Sequence, residues 1–122
     1  MFAMIYSPGL AADRSGFSLD TLRYYERIGL LFDIERTPSN QRVFTDENLE
    51  WLGVLRCLRD TGMPIATMQR YAALAREGSC THEARLDLLR EHAVEVAERI
   101  CALTEQEKHL HGKIDWYESQ PY

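Results

Sequence analysis

The apolar positions of this chain follow two different rules. From Leu86 onward they recur alternately three and four residues apart: Leu86, Leu89, Ala93, Val96, Ile100, Leu103, Glu107, Leu110, Ile114 and Tyr117, nine of the ten apolar. Such a repeat over nearly five heptads predicts a coiled coil. A helix over residues 82–118 would be roughly 55 Å long at 1.5 Å per residue. One narrow seam on so long a helix calls for a partner helix, most simply that of a second copy, so a homodimer is expected. Glu107 is the polar exception: it sets register or pairs across the dimer, or marks an end or bulge. Asp87 with Arg90, Glu95 with Arg99 and Glu105 with Lys108 are spaced to support the outer faces.

Before residue 79 the apolar runs are short and punctuated by Gly, Pro and Asn. Ser7-Pro8 opens a short helix, with Pro where a missing N–H costs nothing, and Leu10 and Ala11 give it an apolar side. Ser15-Gly16-Phe17 makes a turn, and Ser18 caps the next helix. At 100° per residue, Asp20, Arg23, Tyr24 and Arg27 share one arc of that helix, and Leu19, Leu22 and Tyr25 the opposite one. Two short helices joined by a Gly-containing turn read as helix-turn-helix.

Thr37-Pro38-Ser39-Asn40 then separates Ile34-Glu35-Arg36 from Arg42-Val43-Phe44, which predicts a small β-hairpin, or wing, with an arginine on each arm. Thr45 caps a third helix with Asp46 and Glu47 in its first turn. Leu49, Trp51, Leu52, Val54, Leu55 and Leu58 make it apolar over most of its circumference, the expected hub of the core. Gly62 ends it. A fourth helix starts at Pro64, with Ile65, Met68, Tyr71 and Ala75 inward, and closes at Gly78. The fold class is mainly α. A winged helix-turn-helix domain over residues 1–78 precedes a dimerisation helix over 79–122, with no separate effector domain.

The net charge of −5 argues against nucleic acid until its distribution is considered. Residues 1–78 hold 9 Arg and 10 Asp or Glu, and residues 79–122 hold 5 basic and 9 acidic residues, so most of the excess is C-terminal. Exposed charges more than roughly 8 Å apart are largely screened at physiological salt, and a local arginine cluster can still hold phosphates. No apolar run is long enough for a membrane span and no leader is evident. Three cysteines without framework spacing suit a reducing cytoplasm. No cluster of nucleophile, base and orienting residue suggests an enzyme, and nothing calls for a cofactor.

Three stretches carry a resemblance to a known family: TLRYYERIGLL (21–31), RTPSNQRVFT (36–45) and LRDTGMPI (58–65). Over essentially its whole length the chain resembles the MerR family of transcriptional regulators. It departs from the common wing pattern, where Gly-Tyr-Arg is usual and Asn40-Gln41-Arg42 stands here. The resemblance implies an antiparallel homodimer on a near-palindromic operator between two promoter elements. It further implies activation by bending and untwisting an overlong spacer, so that RNA polymerase engages both elements through the DNA. It implies that Arg23 and Tyr24, assisted by Tyr25, meet the duplex, Arg36 and Arg42 the flanking backbone, and Arg59 phosphates near the operator centre; Ser18, Thr21 and Arg27 on the same helix are further candidate DNA contacts.

EWLGVLRCLRDTGM (50–63) resembles the subgroup that responds to aldehydes, reactive carbonyls and nitrosative stress, which implies that Cys57 is a sensor. Gly53, one turn earlier, costs about 1 kcal/mol relative to Ala and would leave space for an adduct. The other reading makes Cys57 a small buried hydrophobe. Cys80 and His82 form a Cys-x-His that admits a metal-responsive alternative or an ordinary loop and helix start. An effector-less architectural DNA-binding protein is a further alternative. Cys101, His92, His109 and His111 lie off the seam and read as helix surface.

Overall fold

The protein is seen in a computed structural model that describes residues 4–121. Strand β1 (Ile5–Tyr6) leads into helix α1 (Pro8–Ser15), and the turn leads into α2 (Leu19–Arg27). Strands β2 (Glu35–Arg36) and β3 (Arg42–Thr45) form the hairpin, followed by α3 (Asp46–Asp60) and α4 (Ile65–Glu77). A 3-10 turn (Ser79–Thr81) then opens α5 (His82–Glu118). The chain forms two units, one up to Arg85 and one from Leu86; the sequence expectation drew that line between 78 and 79.

Local chemistry accounts for the element starts. Ser7 accepts from the Leu10 N–H and Ser18 from the Thr21 N–H, so α1 and α2 each have one orphan donor satisfied. Thr45 and Asn48 form a reciprocal capping box at α3. The hairpin pairs Glu35 with Val43 and Arg36 with Arg42. Asn40 turns the corner at φ 67, the left-handed region that Gly or Asn enters most cheaply. Strand β1 was not expected from sequence. It pairs antiparallel with β3, giving a three-stranded sheet in the order β1-β3-β2. The Tyr6 hydroxyl donates to Asp46 at 2.7 Å and so ties β1 to the start of α3.

The core of the first unit gathers Phe17, Leu22, Tyr25, Leu30, Phe44, Leu52, Leu55 and Met68. The expectation that α3 is apolar over most of its circumference is corrected: Leu52, Leu55 and Leu58 are buried while Val54 is 36% exposed. Leu10, Leu19 and Ile65 are likewise exposed rather than inward. Leu19 and Ile65 are first helical residues, at ends where the inward face has not yet been established. Ala72 takes the inward place on α4, beside Met68 and Tyr71.

Along α5, Leu88 and His92 are buried. For His92 this corrects the expectation of helix surface: it shares a face with Leu88, four residues before it. Leu86, Leu89 and Val96 are half-buried, while Ile100, Leu103, Leu110, Ile114 and Tyr117 are 48–64% exposed. Of the charged pairs anticipated on this helix, Lys108 and Glu105 meet at 3.2 Å.

Two glycines have opposite roles. Gly16 sits at φ 78, and a Cβ there would run into the Arg56 guanidinium. Around Gly53 a Cβ would meet nothing within 4 Å. Gly16→Ala should therefore lose about 1–2 kcal/mol for the left-handed backbone alone, before the clash is counted. Gly53→Ala should gain about 0.5–1 kcal/mol from a less flexible unfolded chain. Urea unfolding followed by circular dichroism measures both.

Candidate nucleic-acid interface

Nine residues of helix are too few to hold a direction unaided, and α2 is held at both ends. Ahead of it, Phe17 is buried with its ring edge-on to Tyr25 at 5.2 Å. The guanidinium groups of Arg56 and Arg59 lie over the Phe17 ring at 5.9 and 4.7 Å. Arg56 also donates to the Ser15 carbonyl at 3.2 Å and to Asp60 at 2.7 Å. Behind α2, the Trp51 indole N–H donates to the Leu30 carbonyl at 2.7 Å, and Gln69 to the Ile28 carbonyl at 3.0 Å. Trp51 is itself stacked on Tyr71 and edge-on to Phe32, each at 5.5 Å. Helices α3 and α4 thus grip the two ends of α2 through side chains that fill no role in the solvent-facing arc.

That arc is what the helical spacing predicted. Asp20, Arg23, Tyr24 and Arg27 are all exposed. Arg23 rests 3.5 Å from Asp20, an exposed pair worth about 0–1 kcal/mol, which leaves Arg23 free to exchange Asp20 for a stronger anion. Arg27 lies over the Tyr24 ring at 5.3 Å. Ser18 and Thr21 meet each other at 2.9 Å in the helix cap, so their hydroxyls set where α2 begins. Tyr25, also expected at the duplex, is corrected to a core residue: it is 4% exposed and packed against Phe17. The spacing had already placed it on the arc opposite Arg23.

On the wing, Arg36 and Arg42 come together at one acceptor that the sequence did not reveal. Oε1 of Glu26, on α2, receives Arg36 Nη2 at 3.1 Å and Arg42 Nε at 2.6 Å. Arg36 Nη1 also reaches the Asn40 carbonyl at 3.4 Å. Only the hairpin register could have exposed this meeting, because it makes Arg36 and Arg42 a directly opposed pair. Arg59 donates through Nε and Nη2 to Asp60 Oδ1, both at 3.3 Å. Asp60 therefore anchors both arginines over Phe17. The Arg56 hydrogen bond, opposed by the cost of burial and then aided by the Arg59 hydrogen bond and the charges of both arginines, holds its carboxyl below the ordinary value.

Among the candidate sensor positions, Cys57 directly follows Arg56 in the chain, while Cys80 and Cys101 come later. Cys57 is exposed on α3, which overturns the buried-hydrophobe reading. The Gly53 side of the helix, one turn earlier, is open. Cys80 and Cys101 are exposed too, and Cys80 Sγ lies 3.6 Å from the Glu77 carbonyl. Among the described residues, no group of three His, Cys, Asp or Glu side chains is placed to hold a metal ion. No described helix is long and apolar enough to cross a membrane.

Comparison with known proteins agrees with this geometry. Residues 6–74 match the family model described as MerR HTH family regulatory protein, and residues 49–113 the one described as MerR, DNA binding. The chain belongs to the MerR family. An uncharacterized HTH-type transcriptional regulator of Haemophilus influenzae is 36% identical over 115 residues, covering 94% of this chain and 85% of the relative. The regulator AdhR of Bacillus subtilis is 37% identical over 78 residues, covering 64% of this chain and 56% of its own length.

Among solved structures, a putative MerR family regulator from Listeria monocytogenes superimposes with a TM-score of 0.88 at 41% identity, covering 94% of this chain and 87% of its own. HiNmlR, described as a MerR family regulator lacking the sensor domain and bound to promoter DNA, gives 0.87 at 36% identity, covering 94% and 91%. The MerR family consists of transcriptional regulators rather than enzymes. Its first matched region begins at Tyr6 in β1 and ends inside α4, taking in every residue of the α2 and wing cluster.

The lowered carboxyl of Asp60 makes the brace on Phe17 acid-sensitive. A depressed folded value contributes stability that is complete above the unfolded value, about 3.9, and is lost as pH falls through the folded one. Melting temperature followed from pH 6 to pH 2 should therefore fall less steeply for Asp60→Asn than for the parent below about pH 4, with the variant already less stable at neutral pH.

Proposed function

We propose that this MerR family member binds promoter DNA as an antiparallel homodimer and activates transcription by distorting the spacer between promoter elements. RNA polymerase is then engaged through the reshaped DNA. The observation that carries this reading is the outward face of α2. Arg23, Tyr24 and Arg27 stand exposed on a helix whose two ends are fixed by α3 and α4, the arrangement a groove-reading helix requires. Arg36, Arg42 and Arg59 extend the cationic surface to either side, and Ser18 and Thr21 fix where α2 starts. Bending and untwisting a spacer costs on the order of a few kcal/mol, which charge-assisted contacts repeated on two subunits can offset.

Pairing is supported by the α5 seam. Leu86, Leu89, Val96, Ile100, Leu103, Leu110, Ile114 and Tyr117 present an apolar stripe whose C-terminal half stands open in one copy. The name HiNmlR bears, a regulator lacking a sensor domain on promoter DNA, supports the same scheme. For the signal, the reading is a thiol-reactive compound, an aldehyde, carbonyl or oxidant, acting at the exposed Cys57. The similarity to AdhR and the open surface at Gly53 support it.

Leu103→Asp, in mid-seam, should convert a sedimenting dimer to monomer and abolish retarded complexes with a two-half-site duplex. Arg23→Ala should keep the dimer and weaken the same complexes. A dimeric Leu103→Asp protein, or an Arg23→Ala protein of unchanged affinity, refutes the corresponding part. Cys57→Ser should retain duplex affinity while a promoter reporter no longer responds to added formaldehyde or diamide. An unchanged response removes Cys57 from the mechanism.

A further inference from the structure

The two wing arginines carry the same charge and sit directly opposite each other, yet their nitrogen atoms are committed differently. Like charges facing across a strand pair destabilise it, and the single oxygen Oε1 of Glu26 between them offsets that repulsion. Arg36 commits both outer nitrogens: Nη2 to Glu26 at 3.1 Å and Nη1 to the Asn40 carbonyl at 3.4 Å. It spans from α2 to the hairpin tip. Among the described residues, Arg42 attaches through Nε alone, at 2.6 Å. A guanidinium held by Nε still offers its two Nη groups, and that edge suits an anionic oxygen pair.

We propose that Glu26 is a positioning residue that divides the work of the wing: it makes Arg36 a strut of the hairpin and presents the Nη edge of Arg42 to a DNA phosphate. The inference rests on the reading that the wing meets DNA. Glu26 itself touches no phosphate. Its carboxylate is 22% exposed and Arg42 27%, both more sheltered than Arg36 at 37%. The arrangement places a negative charge beside the DNA surface, which weakens attraction to any duplex. It also fixes the direction of one cation, which favours a duplex whose phosphate lies where that cation points. Placement and raw attraction therefore change in opposite senses when the carboxylate is removed.

Fluorescence anisotropy with the 122-residue chain separates these effects. Two probes are used across a salt series: a duplex recovered by selection from random DNA, and a mixed-sequence duplex of equal length. Arg42→Gln should flatten the log–log salt dependence on the selected duplex by about 0.9 per subunit, one released phosphate each. Arg36→Gln should lower affinity and melting temperature while leaving that slope in place. Glu26→Ala should lose affinity for the selected duplex severalfold while keeping or gaining it on the mixed one. Adding Arg42→Gln to Glu26→Ala should then cost less than Arg42→Gln costs alone.

Equal flattening by Arg36→Gln and Arg42→Gln overturns the division of roles. Additive losses for Glu26→Ala and Arg42→Gln overturn the positioning role, and the proposed DNA contact of the wing survives both results. Slopes unchanged by either arginine overturn the wing contact itself. Glu26→Gln, which keeps an acceptor and a similar volume, serves as the second variant should Glu26→Ala melt too low to assay. It should show the same division between the two probes in smaller measure, and equal changes on both probes count against the proposal.

Discussion

Everything in the first unit answers one constraint: a helix of nine residues must point in a fixed direction while one of its faces stays in water. Packing of Leu22 and Tyr25 alone fixes a helix against rolling but poorly against tilting. The remedy is two polar tethers at the far end, Trp51 to the Leu30 carbonyl and Gln69 to the Ile28 carbonyl. At the near end it is an aromatic ring beneath two guanidinium groups. The Gln69 tether also satisfies the carbonyl of Ile28, the residue that caps the end of α2. Stability and aim are supplied by the same atoms.

This arrangement explains why so much of α3 and α4 is devoted to something other than a core. Arg56, Arg59 and Asp60 form an ion group at the end of α3 whose first effect is to seat Phe17 and Gly16. The stack of Tyr71 on Trp51 orients the indole N–H toward Leu30. Arginines that read in the sequence as phosphate ligands thus also have intramolecular tasks. Those tasks leave part of each guanidinium for outside use, because five N–H donors exceed what one carboxylate takes.

The fold was legible where local rules decide it. The Ser7-Pro8 start, the caps at Ser18 and Thr45, the glycine turn and the hairpin punctuation at residues 37–40 each predict an element that is present, and the long helix the heptads require is there as α5. Long-range choices were not legible. Strand β1 is two residues long and exists only by pairing with β3, so no periodicity marks it. Tyr25 shows that a helical wheel outweighs resemblance: its arc was apolar, and the structure buries it. Glu26 stayed hidden because its meaning depends on the register that brings Arg36 and Arg42 side by side. The membership of the MerR family was legible from three short stretches, since their spacing reflects the same turn, wing and helix ends.

The open stripe on the second half of α5 has a consequence for dosage. With that stripe as the pairing surface proposed above, assembly and DNA occupancy are linked by mass action. While single chains predominate, the amount of paired protein rises with the square of chain concentration. A modest change in the rate of synthesis or turnover is then amplified at the promoter, and abundance becomes an input in its own right, with no chemistry at a thiol required.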